Sequence, residues 1–300
     1  ETRRDIFQKK GTIPTYLGTG NTDVFGNLAE MKNQGLDLSI DYNKAFSKDF
    51  YMNFKGTFTY AHNEITKYDE APKYAFQSKV GQSANVSQGY LSNGLFLDEA
   101  EIDRYNQQMG STLGAGDIKY LNVSNMHGYG DDIVDVDDWT WIGNPTVPEI
   151  VYGFGPSFKY KNWDFSFFFQ GVAKTSLFMS GFHPFTNDNN TAKRGILDYV
   201  ADGCWTTDNP NPNASYPRLT TAYNTNNNQN STFWLRNAAF LKLKNAEIGY
   251  NFKNMRIYVS GNNLLTFSKF KLWDPEMGGG SGMSYPTQRT FNVGFQMTIN

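Results

Sequence analysis

The sequence holds 300 residues with a formal net charge of −2, and its pI near 6.0 leaves no basic face, so no nucleic-acid partner is expected. Mean hydropathy is −0.56, and no run approaches the roughly 18 apolar residues of a membrane helix, which excludes a helical membrane protein. Cys204 is the only cysteine, so neither an internal disulfide framework nor a cysteine-rich metal site is available.

In chain order, a ragged stretch before Gln8 reads as the end of a strand. Leu36, Leu38, Ile40 and Tyr42 then alternate with Asp37, Ser39 and Asp41. Phe50, Met52, Phe54, Phe58 and Tyr60 alternate with Tyr51, Asn53, Lys55, Thr57 and Thr59. Tyr152, Phe154, Phe158 and Tyr160 form one face of a strand that Pro156 is expected to break. Trp163, Phe165, Phe167 and Phe169 stand against Asp164, Ser166 and Gln170. Ala246, Ile248, Tyr250 and Phe252 oppose Asn245, Glu247, Gly249 and Asn251; Met255, Ile257 and Val259 oppose Arg256, Ser260 and Asn262. The run from Arg289 to Ile299 alternates without a break, with Phe291, Val293, Phe295, Met297 and Ile299 on one face. A period of two puts the two sets on opposite sides of each strand. About eight such strands emerge.

The links between them alternate in length. Residues 43–49, 161–162 and 253–254 are short turns, whereas 10–33, 61–150, 173–238 and 265–288 are long. Outer-membrane barrels have this asymmetry, with short periplasmic turns and long extracellular loops. The fold class expected is therefore all-β: the C-terminal portion, about eight antiparallel strands, of a large transmembrane β-barrel. Rings near the strand ends (Tyr42, Tyr60, Tyr152, Tyr160, Trp163, Tyr250 and Phe252) fit the interfacial girdles of such barrels. The chain starts abruptly at Glu1 without a signal peptide, although an outer-membrane protein is exported, so residues 1–300 are expected to be a C-terminal piece of a larger protein.

Several stretches carry more than pattern. NQGLDLSIDY at Asn33–Tyr42, GDIKY at Gly116–Tyr120, IGNP at Ile142–Pro145 and SFFFQG at Ser166–Gly171 are followed by FLKLKNAEIGY at Phe240–Tyr250 and VSGNNLLTF at Val259–Phe267. DPE at Asp274–Glu276 and YPTQRTFNVGF at Tyr285–Phe295 complete the series. In order and spacing these resemble the C-terminal third of the SusC/RagA-type TonB-linked outer-membrane transporters of Bacteroidetes. The resemblance implies a barrel of about 22 strands filled by an N-terminal plug domain, which this chain does not contain. It implies import of glycans or peptides, with energy from a TonB complex that would act through the N-terminal part. A SusD-like surface lipoprotein would be the partner at the extracellular mouth, and the cell outer membrane, with its lipid and lipopolysaccharide, would be the setting. Two departures stand out. The family tends to end on an aromatic residue, where this chain has Asn300, and Asn122, Ser124 and His127 stand near places where the family has acids after GDIKY.

Candidate chemistry is sparse. Asp131, Asp132, Asp135, Asp137 and Asp138 concentrate hard oxygen ligands, but Gly128 precedes them instead of sitting among them as a calcium loop requires. A solvated acidic loop is expected in preference to a calcium site. His62, His127 and His183 have no paired metal spacing. Asp98 and Glu99 have the residue types of a glycosidase pair but no cleft to sit in, and Gly278–Gly280 reads as a flexible loop, not a phosphate cradle. No catalytic, cofactor-binding or metal residue is assigned, no cofactor is expected, and the chain is not read as an enzyme. Trp139, Trp141, Trp205, Trp234 and Trp273 either stack on sugars or partners or form small cores inside the loops, and the second is preferred because loops this long need packing of their own. Lys242 and Lys244 fall in step with Ala246 and Ile248. Either a bulge shifts the register near Asn245, or the strand projects above the hydrocarbon and the lysines face lipopolysaccharide; the second is preferred. Against the transporter stand a self-contained small outer-membrane barrel with adhesive or structural loops and, less favoured, a soluble sandwich.

Overall fold

A computed structural model describes residues 1–9, 24–105, 107–109, 112–129, 131–181, 195–220 and 223–299. Eight strands make one antiparallel sheet in strict chain order: β1 (Thr2–Lys9), β2 (Phe25–Ala45), β3 (Phe50–Lys67), β4 (Ile150–Tyr160), β5 (Trp163–Ala173), β6 (Phe240–Phe252), β7 (Met255–Ser268) and β8 (Thr290–Met297). Every strand pairs only with its chain neighbours. β1 and β8 lie at opposite edges of an open sheet, with no ladder between them. That argues against the self-contained small barrel, in which they would pair.

Register converts the sequence alternation into two unlike faces. Val293 lies opposite Val259, and the row continues through Ile248, Phe165, Phe158 and Met52, apolar across six strands. Its counterpart on the other face runs Asn292, Ser260, Glu247, Ser166, Ser157, Asn53 and Asn43, polar throughout. The apolar face is bare: Val293 is 80% and Phe291 70% exposed. A continuous apolar belt of this extent marks a surface made to be covered by something other than water. At the short-turn end the belt closes in rings, with Phe50 against Tyr160 at 6.4 Å and Trp163 against Tyr250 at 4.8 Å.

The polar face is crosslinked by its own charges. Arg256 bonds Glu247 at 2.6 Å and also Asp164, which accepts a further hydrogen bond from Asn251 at 2.8 Å. Gly249 sits beneath this knot, and a Cβ there would lie 2.6 Å from both the Arg256 Nη2 and the Asp164 Oδ1. A side chain there would make the ends of Arg256 and Asp164 shift.

Three expectations about the strands need correction. The long link expected over residues 10–33 is shorter, because β2 begins at Phe25, and β3 runs on to Lys67. Mixed residues such as Glu30, Lys32 and Asn33 hide the alternation there, yet after a register shift at Glu30 residues 31–37 pair continuously with the end of β3. Pro156 does not break β4: its register with β3 runs unbroken through Pro156 opposite Phe54, and its register with β5 is the same on both sides. Thirdly, Lys242 and Lys244 do not face outward above an apolar row. The ladder of β6 with β5 shifts between Leu243 and Asn245, the mark of a bulge at Lys244, and the ladder with β7 shifts at the same place with the extra residue on β7. Before it Leu241 and Leu243 share the apolar face with Phe267 and Leu265, so Lys242 turns to the polar side and is completely buried.

Candidate binding surface at the long-loop end

Residues 68–149, 174–239 and 269–289 leave the same end of the sheet and fold against one another. Tyr90, Leu95, Ile118, Tyr120 and Val134 of the first loop pack with Trp205 of the second. A second cluster joins Leu177, Met179, Val200, Tyr216 and Ala238 to Phe270 of the third. The tryptophans are loop cores, as preferred from sequence. Trp205 is buried, Trp139 and Trp234 pack on the first cluster, and Trp234 and Trp273 on the second. Trp141 donates its indole N–H to the Ser78 carbonyl at 2.8 Å.

A buried polar joint ties the first two loops together. Asp117, wholly inaccessible, accepts two hydrogen bonds from Arg218 at 2.7 and 2.9 Å and one each from Asn224 and Asn227. Asn226 accepts from Gln108, and its carbonyl accepts from the Tyr120 hydroxyl at 2.7 Å. The Asp117 carboxylate raises the Arg218 guanidinium further above its ordinary value. Burial pushes the Tyr90 phenol up to about 12. Gly116 keeps φ at +85° under the Trp205 ring, which approaches to 2.4 Å from where a Cβ would stand. Sequence reasoning noted GDIKY but missed this joint. Its signal was the run Asn226–Asn228 itself, amides able to satisfy a buried carboxylate; no spacing rule links it to Asp117.

A second joint fixes the third loop. Lys242 reaches Asp274 and Glu276, each at 2.6 Å, and Lys244 bonds Glu276 at 2.7 Å. Burial alone would raise the Asp274 and Glu276 carboxyls. Hydrogen bonds from Lys242, with Thr287 on Asp274 and Lys244 on Glu276, hold both below the ordinary carboxylate range.

The acids at Asp131–Asp138 are not a solvated run, which corrects the expectation. Asp138 is fully buried, accepts from the Ser124 N–H at 2.8 Å and shares a capping box with Asp135. Asp131 accepts from Asn122 and Ser124, and Asp137 pairs with Lys73. Asp138 can be buried here because backbone N–H groups supply its hydrogen bonds, while Asp132 stays exposed. Asn122 and Ser124 therefore work as partners of the acids. Among the described residues no group of His, Cys, Asp or Glu comes together to hold a metal. His62 pairs with Glu149, His127 stacks on Phe76, and His183 lies outside the described residues. Asp98 caps the short helix Glu99–Ile102.

Comparison with known proteins follows the same lines. No family model matches the chain. TonB-dependent receptor P26 of Formosa agariphila is 27% identical over 96% of the chain, and TonB-dependent receptor SusC of Bacteroides thetaiotaomicron is 23% identical over 95%. The structure of the RagAB peptide transporter superposes over 99% of the chain with a TM-score of 0.67 at 22% identity. The chain is similar along nearly its whole length to TonB-dependent receptors of the SusC/RagA type. It spans about a third of their length: 31% of P26, 28% of SusC and 32% of the RagAB chain. In SusC/RagA terms the open sheet is the C-terminal portion of a large barrel. The motifs that carried the resemblance occupy the joints: Asp117 of GDIKY, Lys242 and the bulge of LKLKN, and Asp274 and Glu276 of DPE.

Proposed function

We propose that this chain is the last eight strands and the outer loops of an outer-membrane nutrient importer driven by TonB and capped by a SusD-like surface lipoprotein. The observation that carries the reading is the match to TonB-dependent receptors over 96% of the chain, joined to an apolar belt facing away from a polar wall. The cargo class is a glycan or a peptide. Energy coupling and a plug domain belong to the part of the relatives' length that this chain does not span, so its share of the work is a wall, a mouth and a partner surface. That share is not enzymatic: the acids of the loops hold backbone and lysines in place. Outer-membrane lipid covers the belt, and lipopolysaccharide surrounds the loops.

The test shortens residues 68–149 or 174–239 in the whole protein with membrane insertion kept intact. Co-purification of the lipoprotein and uptake of the cognate nutrient should both fall. A stable interface needs about 1,200–2,000 Å². Unchanged uptake and co-purification after loss of both loops would overturn the partner surface proposed.

A further inference from the structure

Between the second and third loops lies a hollow of about 350 Å³ whose walls include Arg236, Lys269 and Lys271 together with Tyr199, Tyr216 and Ser215. Three cations on one concavity are unusual in a chain of net charge −2, and here none of them has a carboxylate partner among the described residues. Other lysines of this end do: Lys242 and Lys244 share Asp274 and Glu276, and Lys119 has Glu101. Arg236 is the telling group. One of its terminal nitrogens bonds the carbonyls of Phe233 at 2.6 Å and Leu235 at 3.0 Å, which leaves the rest of the guanidinium fork without an acceptor. Burial depresses its pKa, and only the Tyr216 phenol works against that; no carboxylate does. A part-buried guanidinium with spare donors and two flanking ammonium groups is a receptor for an oxyanion. The rings of Tyr199 and Tyr216 beside it offer amphipathic faces, and the Ser215 hydroxyl a hydrogen-bonding partner, of the kind a sugar ring and its hydroxyls use.

We infer that this hollow is a subsite for an acidic saccharide, holding the carboxylate or sulfate group on Arg236, Lys269 and Lys271. The inference rests on the importer reading for the source of the ligand, but binding to the purified whole protein measures it without transport. A failed uptake assay and failed binding are therefore separate results.

The probes are tetragalacturonate, its fully methyl-esterified form and lipid A, which brings phosphates from the membrane side. Calorimetry on the whole protein in detergent should give at least tenfold tighter binding of the acid than of the ester. The exposed pair K269Q/K271Q should lose most of that preference and flatten the salt dependence of binding. R236Q should lose it further, with R236K as a conservative control that keeps the charge but not the fork. Equal binding of acid and ester, or an acid preference that survives both K269Q/K271Q and R236Q, would overturn the subsite. Binding of lipid A without binding of the tetramer would overturn the saccharide assignment and identify a lipid headgroup as the source of the anion.

Discussion

A single lysine decides how the third loop sits. Lys242 is fully buried between Asp274 and Glu276, and removing one partner of a buried ion cluster leaves the other charges uncompensated, at about 3–5 kcal/mol. Lys242→Ala should therefore release residues 269–289, read as faster protease cleavage and hydrogen exchange confined to that loop. The same joint gives a pH dependence with a definite sign. Both carboxyls are held below their ordinary range, so their contribution is complete above the unfolded value of about 4.5 and fades as pH falls through the folded values. Exchange in this loop should rise below about pH 4 while β7 and β8 stay protected. A loop that loosened first on raising the pH would contradict the assignment. Arg236 differs in having no acid nearby, so acidification should leave it unchanged.

The strand is the scale at which sequence spoke most clearly. Phe291, Val293 and Phe295 alternate with Asn292, Gly294 and Gln296, and β8 places the first set on the apolar face in register with Val259 and Ile257. Val293→Arg should cost about 2–4 kcal/mol at mid-membrane and lower the yield of inserted protein, whereas Asn292→Arg on the inner wall should be much milder. Equal losses would undo the assignment of faces. The same periodicity misled where the backbone changed step. Lys242 and Lys244 are in phase with Ile248 on paper, and one extra residue at the bulge reverses the side on which Lys242 falls. The phase clash raised a bulge as one of two readings, and the ladder decides for it. Pro156 was overweighted for a related reason: it lacks a donor, but β4 keeps its register with β3 and β5 on either side of it. The candidate surface was less legible still, since Asp117 and Arg218 lie 101 residues apart and local pattern carries no information about such pairs.

At the scale of the molecule, the open edges make the next test. Thr2 faces Lys32 across β1 and β2, while Ile6 and Phe295 sit on strands at opposite ends of the sheet. In a single-cysteine-pair series on the whole protein, Thr2→Cys with Lys32→Cys should crosslink, and Ile6→Cys with Phe295→Cys should not. Crosslinking of the second pair would restore the small closed barrel. The loop assembly should also respond as one body. Asp117→Ala, by stripping Arg218, Asn224 and Asn227 of their shared acceptor, should deprotect residues 195–220 as well as residues 112–129. Deprotection of the first loop alone would show that the joint does not couple them.

The strictly sequential pairing of the sheet has a kinetic consequence. Pairing of β3 with β4 must wait for residues 68–149 to close, but the hairpins joined by short turns, β2 with β3, β4 with β5 and β6 with β7, can form from neighbouring residues alone. The mouth cannot: its buried joint waits for partners about a hundred residues apart, and contacts of that sequence separation form late. Biogenesis should accordingly pass through a stage with formed hairpins and an unmade mouth. During it, residues 68–149 are open to protease while β4 and β5 are already protected, and pulse proteolysis during insertion would read that interval directly.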